Sequence, residues 1–487
     1  MIPIQKTIRF MSALIILLSL IIAMLLIPNF HLFDETLLPE IQAMPHSSPG
    51  SRSSNGLVYA YGIDAPEGVA PHAAGEEIIA LMQNKVATGK WGPLTFSETE
   101  AIYKQRKVAS FEPNDYTAMQ PNFALENVTP PLKQSRPSRQ KNDWQQTWWR
   151  DYSSALDCNS FERSDCFIQV SRQLKSIPLQ DMRLVLRLQR YRKLIQFNQY
   201  SDAVEMKLPS PLGTPMVNGR INLAQAYIND PTSSFLITWQ QDTSFWLRVL
   251  RGSQSLMSKH TAISVLRYNL QSINSLINER QLTPEQQQTI RQLLLPPQNL
   301  DFAQALRTAQ HHFQELENTW AYMAHSPTKV QWIYWLRQDN ASANDYYRRI
   351  TAPLLQLTQL KPADFASAAK KIQQKEHIGF SLSPYNLGEN FLQENHRSYR
   401  DLFIYLLAAT NDTLAIYQMI NVQLDIKQKQ PADIAAFIRS ATQHAPYTNE
   451  TLSYSAETDE LGFHCFNKQD NCTINLRDEN TINETAY

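Results

Sequence analysis

The segment Phe10–Ile27, FMSALIILLSLIIAMLLI, has no comfortable place in a water-soluble fold. Spanning a bilayer core takes about 20 mostly apolar residues, and the run reaches that length when extended to Pro28 or Phe30. Lys6 and Arg9 precede it, and Asp34, Glu35 and Glu40 follow it. Retention of basic residues on the cytoplasmic side predicts a short N-terminus inside and the bulk of the chain outside. A cleaved secretory signal shares the basic start, but the run is longer than the usual signal core. The nearest small-residue site, Glu40–Met44, is a poor one, and no cysteine ends the run. The reading is an uncleaved signal anchor: a single-pass inner (cytoplasmic) membrane protein with its bulk in the periplasm.

Composition bounds the rest. The chain carries 45 basic and 45 acidic residues, a net charge of zero. Phosphate binding wants a basic excess, so nucleic acid is not the expected partner. Hydrophobic residues make up 43% of the chain, enough for a substantial core, while glycine is scarce at 13. Tight turns and sheet corners lean on glycine, so helices joined by Pro- and Asn-marked turns are favoured.

The predicted organisation follows these signals along the chain. Residues 1–9 form the cytoplasmic N-terminus, 10–28 the anchor and 29–56 a flexible Ser/Pro/Gly spacer. Residues 57–110 form a helical segment, with helices from Pro71 and over Ser97–Val108. Residues 111–142 hold Pro113, Pro121, Pro130, Pro131 and Pro137 and read as a linker. Residues 143–443 form the main helical domain. Its predicted helices include Leu179–Phe197, Phe235–Leu250, Leu256–Ile277, Phe302–Ala324, Lys329–Arg337, Pro362–Lys375, Asn390–Thr410, Asp412–Lys427 and Ala432–Gln443. Thr283-Pro284-Glu285 is a helix start, and Pro209–Asn218 reads as a break. Residues 444–487 alternate polar and apolar positions, the pattern of two or three short strands. The fold class is therefore all-α: one transmembrane helix, an irregular multi-helix bundle or array, and a small C-terminal β-hairpin appendage.

The four cysteines lie in two close pairs, Cys158 with Cys166 and Cys465 with Cys472. Outside the cytoplasm each pair would close its own short disulfide loop, one of three possible connectivities. The spacings do not suit zinc, so no metal site and no cofactor is expected.

Catalytic motifs are scarce. Arg251-Gly252-Ser253-Gln254-Ser255 lacks the second glycine of a nucleophile elbow, and Ser367-Ala-Ala-Lys370 lacks the partner motifs of penicillin-recognising enzymes. His311, His312 and Glu315 share a helical turn, and His72 and Glu76 are four apart. Each group offers too few ligands for a zinc site. Gly89-Lys90 reads as a helix end. The densest polar string runs from Glu394 to Asp401. There His396 pairs by spacing with Arg400, and Arg397 with Asp401, as candidates for acid–base chemistry or anion binding. The same spacing suits a salt-bridged helix start. Trp144, Trp148 and Trp149 form an aromatic stripe at helical spacing. Its first reading is core packing, with a partner-binding surface second.

Two strings carry a resemblance. NGLVYAYGIDAPEGVAPHAA, from Asn55 to Ala74, and the ending Pro446-Tyr447-Thr448-Asn449-Glu450-Thr451-Leu452 with Tyr454 and Leu461-Gly462-Phe463 resemble segments of uncharacterised membrane-anchored envelope proteins of Gram-negative bacteria. Asn449 and Thr451 stand where that ending has Gly and Pro. The resemblance implies compartment and architecture and brings no activity with it. The functional expectation is a non-enzymatic factor that binds another protein or an envelope component. The alternative is a hydrolase acting on lipid or cell-wall material through His396, Arg397, Arg400 and Asp401.

Overall fold

A computed structural model describes residues 4–26, 35–44, 55–65, 68–87, 158–175, 182–202, 210–294, 300, 302–310, 338–374, 387–448 and 450–477. The described part is mostly helical, with one small antiparallel sheet. Residues 10–27 fall largely within the helix Ile4–Leu26, whose described side chains run from Met11 to Ile21 with Ala23. Among the described residues, no helix is long and apolar enough to cross a membrane. This corrects the transmembrane element of the fold class, and with it the single-pass inner-membrane placement of the chain.

The chain divides into two compact units: Met1–Ser48 with Asp301–Leu407, and Pro49–Leu300 with Ala408–Tyr487. In the first, Asn344 gathers the segment before helix Pro39–Gln42. Its carbonyl oxygen accepts from the Leu38 amide at 2.8 Å, and its amide nitrogen donates to Glu35 and the Thr36 carbonyl at 3.0 and 2.9 Å. Helix Asp339–Tyr346 passes into a π-turn, Tyr347–Thr351, and then into helix Ala352–Leu357. Pro353 has no N–H for the carbonyl four residues back and crowds it, which accounts for the widened turn.

In the second unit, helices Gly213–Asn229, Thr232–Gly252 and Leu256–Glu279 pack together with Cys166–Lys175. Thr232–Gly252 buries Phe235, Trp239, Phe245, Trp246 and Val249 at helical spacing. Leu256–Glu279 is buried almost all round, as a central helix must be. Helix Pro284–Leu293 opens with a complete capping box between Thr283 and Gln286.

Three helix assignments change. Pro209–Asn218 does not simply break the chain, because Gly213–Asn229 is a helix that takes Pro215 into its first turn, where proline is tolerated. The two helices expected over Asn390–Thr410 and Asp412–Lys427 are one, Leu387–Lys429. Asn411 and Asp412 look like a helix start locally, but burial of the apolar residues on both sides keeps the helix going. Leu57–Ile63, read as a short apolar stretch, is a helical turn: Gly56–Tyr61, capped by Asn55, whose side chain accepts from the Leu57 amide at 3.0 Å. The expected helices Ser97–Val108 and Lys329–Arg337, the linker 111–142, and the strings Gly89-Lys90 and His311, His312, Glu315 lie outside the described residues.

The C-terminal appendage has three strands: β1 (Ser453–Ser455), β2 (Glu460–Gly462) and β3 (Thr473–Asn475), paired antiparallel in that order. Leu461 pairs with Tyr454 on one side and Ile474 on the other. Leu461 and Ile474 join a core that includes Val170, Ile273 and Met419.

Candidate functional site

The two disulfides form as the spacing implies, Cys158–Cys166 and Cys465–Cys472, with Cα separations of 5.5 and 5.7 Å. Their loops meet directly: the Asn471 amide donates to the Phe161 carbonyl at 2.6 Å. Beneath that contact lies Arg267, 1% exposed, reaching out from helix Leu256–Glu279. Its guanidinium sits over the Phe161 ring, 4.9 Å from the centroid. One Nη donates to the Phe161 carbonyl at 3.4 Å, and the other lies 3.4 Å from Cys472 Sγ. A fully buried cation requires negative charge nearby, and two carboxylates supply it.

Asp412 is fully buried on helix Leu387–Lys429. The Tyr447 hydroxyl donates to its Oδ1 at 2.7 Å and lies 3.1 Å from the Ala408 carbonyl. The Phe466 backbone also hydrogen-bonds the carboxyl, whose Oδ2 is buried. Burial pushes the Asp412 carboxyl up to about 7, against the pull of the Arg267 charge and the Tyr447 hydroxyl. Asp470 is the second carboxylate. Burial raises its proton affinity too, opposed by Arg267 and by Asn467, which donates to it at 3.2 Å. Burial and Asp412 together drive the Tyr447 phenol far up, so it stays a donor. The site is thus one buried cation, two reluctant carboxylates, a phenol and a disulfide, gathered from four separate parts of the sequence.

A second buried network lies deeper in the same unit. The Tyr191 hydroxyl donates to Asp242 Oδ1 and accepts from Trp246 Nε1 at 2.9 Å. Asn269 donates to Asp242 Oδ2 at 2.8 Å. Burial pushes the Asp242 carboxyl up to about 6. A Cβ on Gly219 would stand 2.5 Å from the Tyr191 hydroxyl, so glycine lets that ring in. Every group here is enclosed by protein, so the network reads as a lock between helices Met182–Leu194, Thr232–Gly252 and Leu256–Glu279.

Both raised carboxyls carry the same pH signature. A carboxyl protonated more readily when folded than when unfolded contributes stability that is full below its unfolded value, 3.8 here, and is lost as pH rises through its folded value. Stability should therefore fall between pH 5 and pH 8 by a few kcal/mol, because each tenfold gain in proton affinity on folding is worth about 1.4 kcal/mol. Urea midpoints at the two pH values test this; a higher midpoint at pH 8 would contradict it.

The sequence candidates fare differently. Arg400 is buried and donates to Asp401 Oδ1 at 3.1 and 3.3 Å and to the Ile372 carbonyl at 3.5 Å. Arg400 and Asp401 thus meet each other as chain neighbours. The side chains of His396 and Arg397, and all of Trp144, Trp148 and Trp149, lie outside the described residues. His72, partly buried, and Glu76, exposed, pair at 3.8 Å across one helical turn. Ser253, from the incomplete elbow, donates to Asp202 at 2.5 Å and is buried at a helix end. Ser367 donates to the Asp364 carbonyl at 3.2 Å on an exposed helix face. A cavity lined by Leu250, Ile263, Leu266, Leu300 and Tyr417 measures about 10 Å³, room for one water and far below a small-molecule site.

The Arg267 site was not read from the sequence, although one signal pointed to it. Asp412 is the one charged residue in the stretch Phe403–Ile420, and such a residue mid-helix must find a partner or a proton. Residues within Asn55–Ala74 and Pro446–Phe463 have structural work. Asn55 caps its helix and holds Ser201 through both backbone groups, at 2.6 and 3.1 Å. Arg190 gathers the carbonyls of Ile63, Ala65 and Val69. Tyr447 carries the ending onto Asp412. The chain matches no protein-family model, no curated protein and no solved structure.

Proposed function

We propose that this chain is a non-enzymatic protein of an oxidising, extracytoplasmic compartment that works by binding another protein or an envelope component. The observation that carries this reading is the disulfide-joined Arg267 site. Two short disulfide loops, hydrogen-bonded to each other over a buried cation, suit a compartment where disulfides persist. The ionisable groups there tie separate elements together, which suits a rigid binding body. The likeness to Gram-negative envelope proteins at Asn55–Ala74 and Pro446–Phe463 supports the same compartment. The hydrolase alternative built on His396, Arg397, Arg400 and Asp401 gains no support from Arg400, whose guanidinium is tied to Asp401 and a helix carbonyl.

Crosslinking the full chain in intact cells, followed by co-purification, tests the binding role. One partner recovered in fixed ratio is expected. Recovery of the chain alone, under conditions where it crosslinks to itself or is otherwise shown reactive, would remove the proposal.

A further inference from the structure

We propose that Cys465–Cys472 is a thiol–disulfide exchange site, at which a low-molecular-weight thiol attacks Cys465 and remains on it as a mixed disulfide while Cys472 departs as a thiolate held by Arg267. The inference stands independently of what the chain binds. It rests on an asymmetry between the two sulphurs. Cys472 is 2% exposed, whereas Cys465 is only partly buried. An incoming thiolate must reach one sulphur in line with the S–S bond, and Cys465 is the one that solvent reaches.

The leaving side is prepared. Arg267 Nη lies 3.4 Å from Cys472 Sγ, and a guanidinium cannot give up its charge near neutral pH. A cation against a thiol stabilises the thiolate, and a better leaving thiolate departs faster. The Asp470 carbonyl stands 3.1 Å from Cys465 Sγ, ready to accept from the Cys465 thiol once it is reduced. A carboxylate oxygen of Asp412 lies within 4.8 Å of both sulphurs and is the nearby store of a proton for Cys472. Its raised proton affinity keeps that proton at hand near neutral pH.

The other disulfide has none of this. Cys158 and Cys166 are 7% and 0% exposed, and the polar group facing Cys158 Sγ is the neutral Gln169 Oε1 at 3.9 Å. The same Asp412, Cys465 and Cys472 atoms have the spacing of a metal ligand set. A divalent cation placed there would face the Arg267 guanidinium, so the charge of the site favours an anion, the Cys472 thiolate.

The step balances. The attacking thiolate forms a sulphur–sulphur bond to Cys465, the Cys465–Cys472 bond breaks, and its electron pair stays on Cys472. The attacking sulphur is oxidised and Cys472 is reduced. A second thiol then attacks its own kind on Cys465, releasing the small-molecule disulfide and leaving both cysteines reduced.

The test treats the folded full-length chain with reduced glutathione, quenches with acid, and maps alkylated and glutathione-bearing peptides by mass spectrometry. Cys465–Cys472 should open about tenfold faster than Cys158–Cys166, with the adduct on Cys465. Arg267→Met should slow the opening about tenfold and Arg267→Lys should restore much of it. Should Arg267→Met fail to fold, the wild-type adduct position decides alone. An adduct on Cys472, or Cys158–Cys166 opening first or at the same rate, overturns the proposal.

Discussion

Replacing Gly75 by alanine is expected to destabilise the larger unit by about 3 kcal/mol or more, at the upper end of what overpacking costs. A Cβ at Gly75 would lie 1.8 Å from the Val58 carbonyl oxygen, and one at Gly62 would lie 1.8 Å from the Pro71 carbonyl oxygen. Helices Gly56–Tyr61 and Pro71–Ala87 therefore touch backbone to backbone at both glycines. No side chain stands between them to rotate away, so an added methyl must push the helices apart. That would uncover Val58, Ala74, Ile78 and Ile79, which pack as one apolar cluster. Gly213 is the internal control, since nothing lies within 4 Å of a Cβ built there. Gly213→Ala should change stability by no more than about 1 kcal/mol. Thermal unfolding of the two variants checks the pair of expectations. An unchanged midpoint for Gly75→Ala would mean the helices do not meet in this way.

The second large effect is expected at Arg267. Arg267→Met removes the cation that faces the buried Asp412 carboxyl and the half-buried Asp470 carboxyl, and breaking a buried charge group from one side costs about 3–5 kcal/mol. It also removes the contact with the Phe161 ring and the hydrogen bond to the Phe161 carbonyl. The loss should depend on pH. At pH 8 Asp412 would be ionised with no cation beside it, whereas at pH 5, below its folded value of about 7, it carries a proton and needs none. Denaturant midpoints of wild type and variant at both pH values measure the difference. Equal losses at pH 5 and pH 8 would show that Arg267 acts by packing alone.

These two positions also mark the limit of reading the chain residue by residue. Some helix starts were legible because they are written locally, although the Asn55 cap was not read. Thr283 with Pro284, and Pro362 at the head of an Ala-rich run, announce themselves through the N-cap threonine and proline's fixed φ. Long apolar periods at Thr232–Gly252 and Leu256–Glu279 were legible because a buried helix face repeats every three or four residues. The disulfide pairing was legible because each partner is the nearest cysteine in sequence. At the candidate site, the sequence brought Cys465 and Cys472 together. It did not place Arg267 or Asp412 there.

A mostly helical chain, most of its helices, and two local disulfide loops, one of them within a small β appendage, could be read from the amino-acid order alone. The packed fold was needed to show that helix Leu387–Lys429 runs unbroken through Asn411 and Asp412, that Gly62 and Gly75 bring two backbones into contact, and that Arg267 sits between two disulfide loops whose cysteines lie some 300 residues apart. The physical reason is the range of the forces involved. Caps, turns and short covalent loops act over a few residues and leave a signature in the adjacent letters. Burial acts between residues distant in sequence, and it alone turns an ordinary arginine and an ordinary aspartate into a charge pair that the fold must keep together.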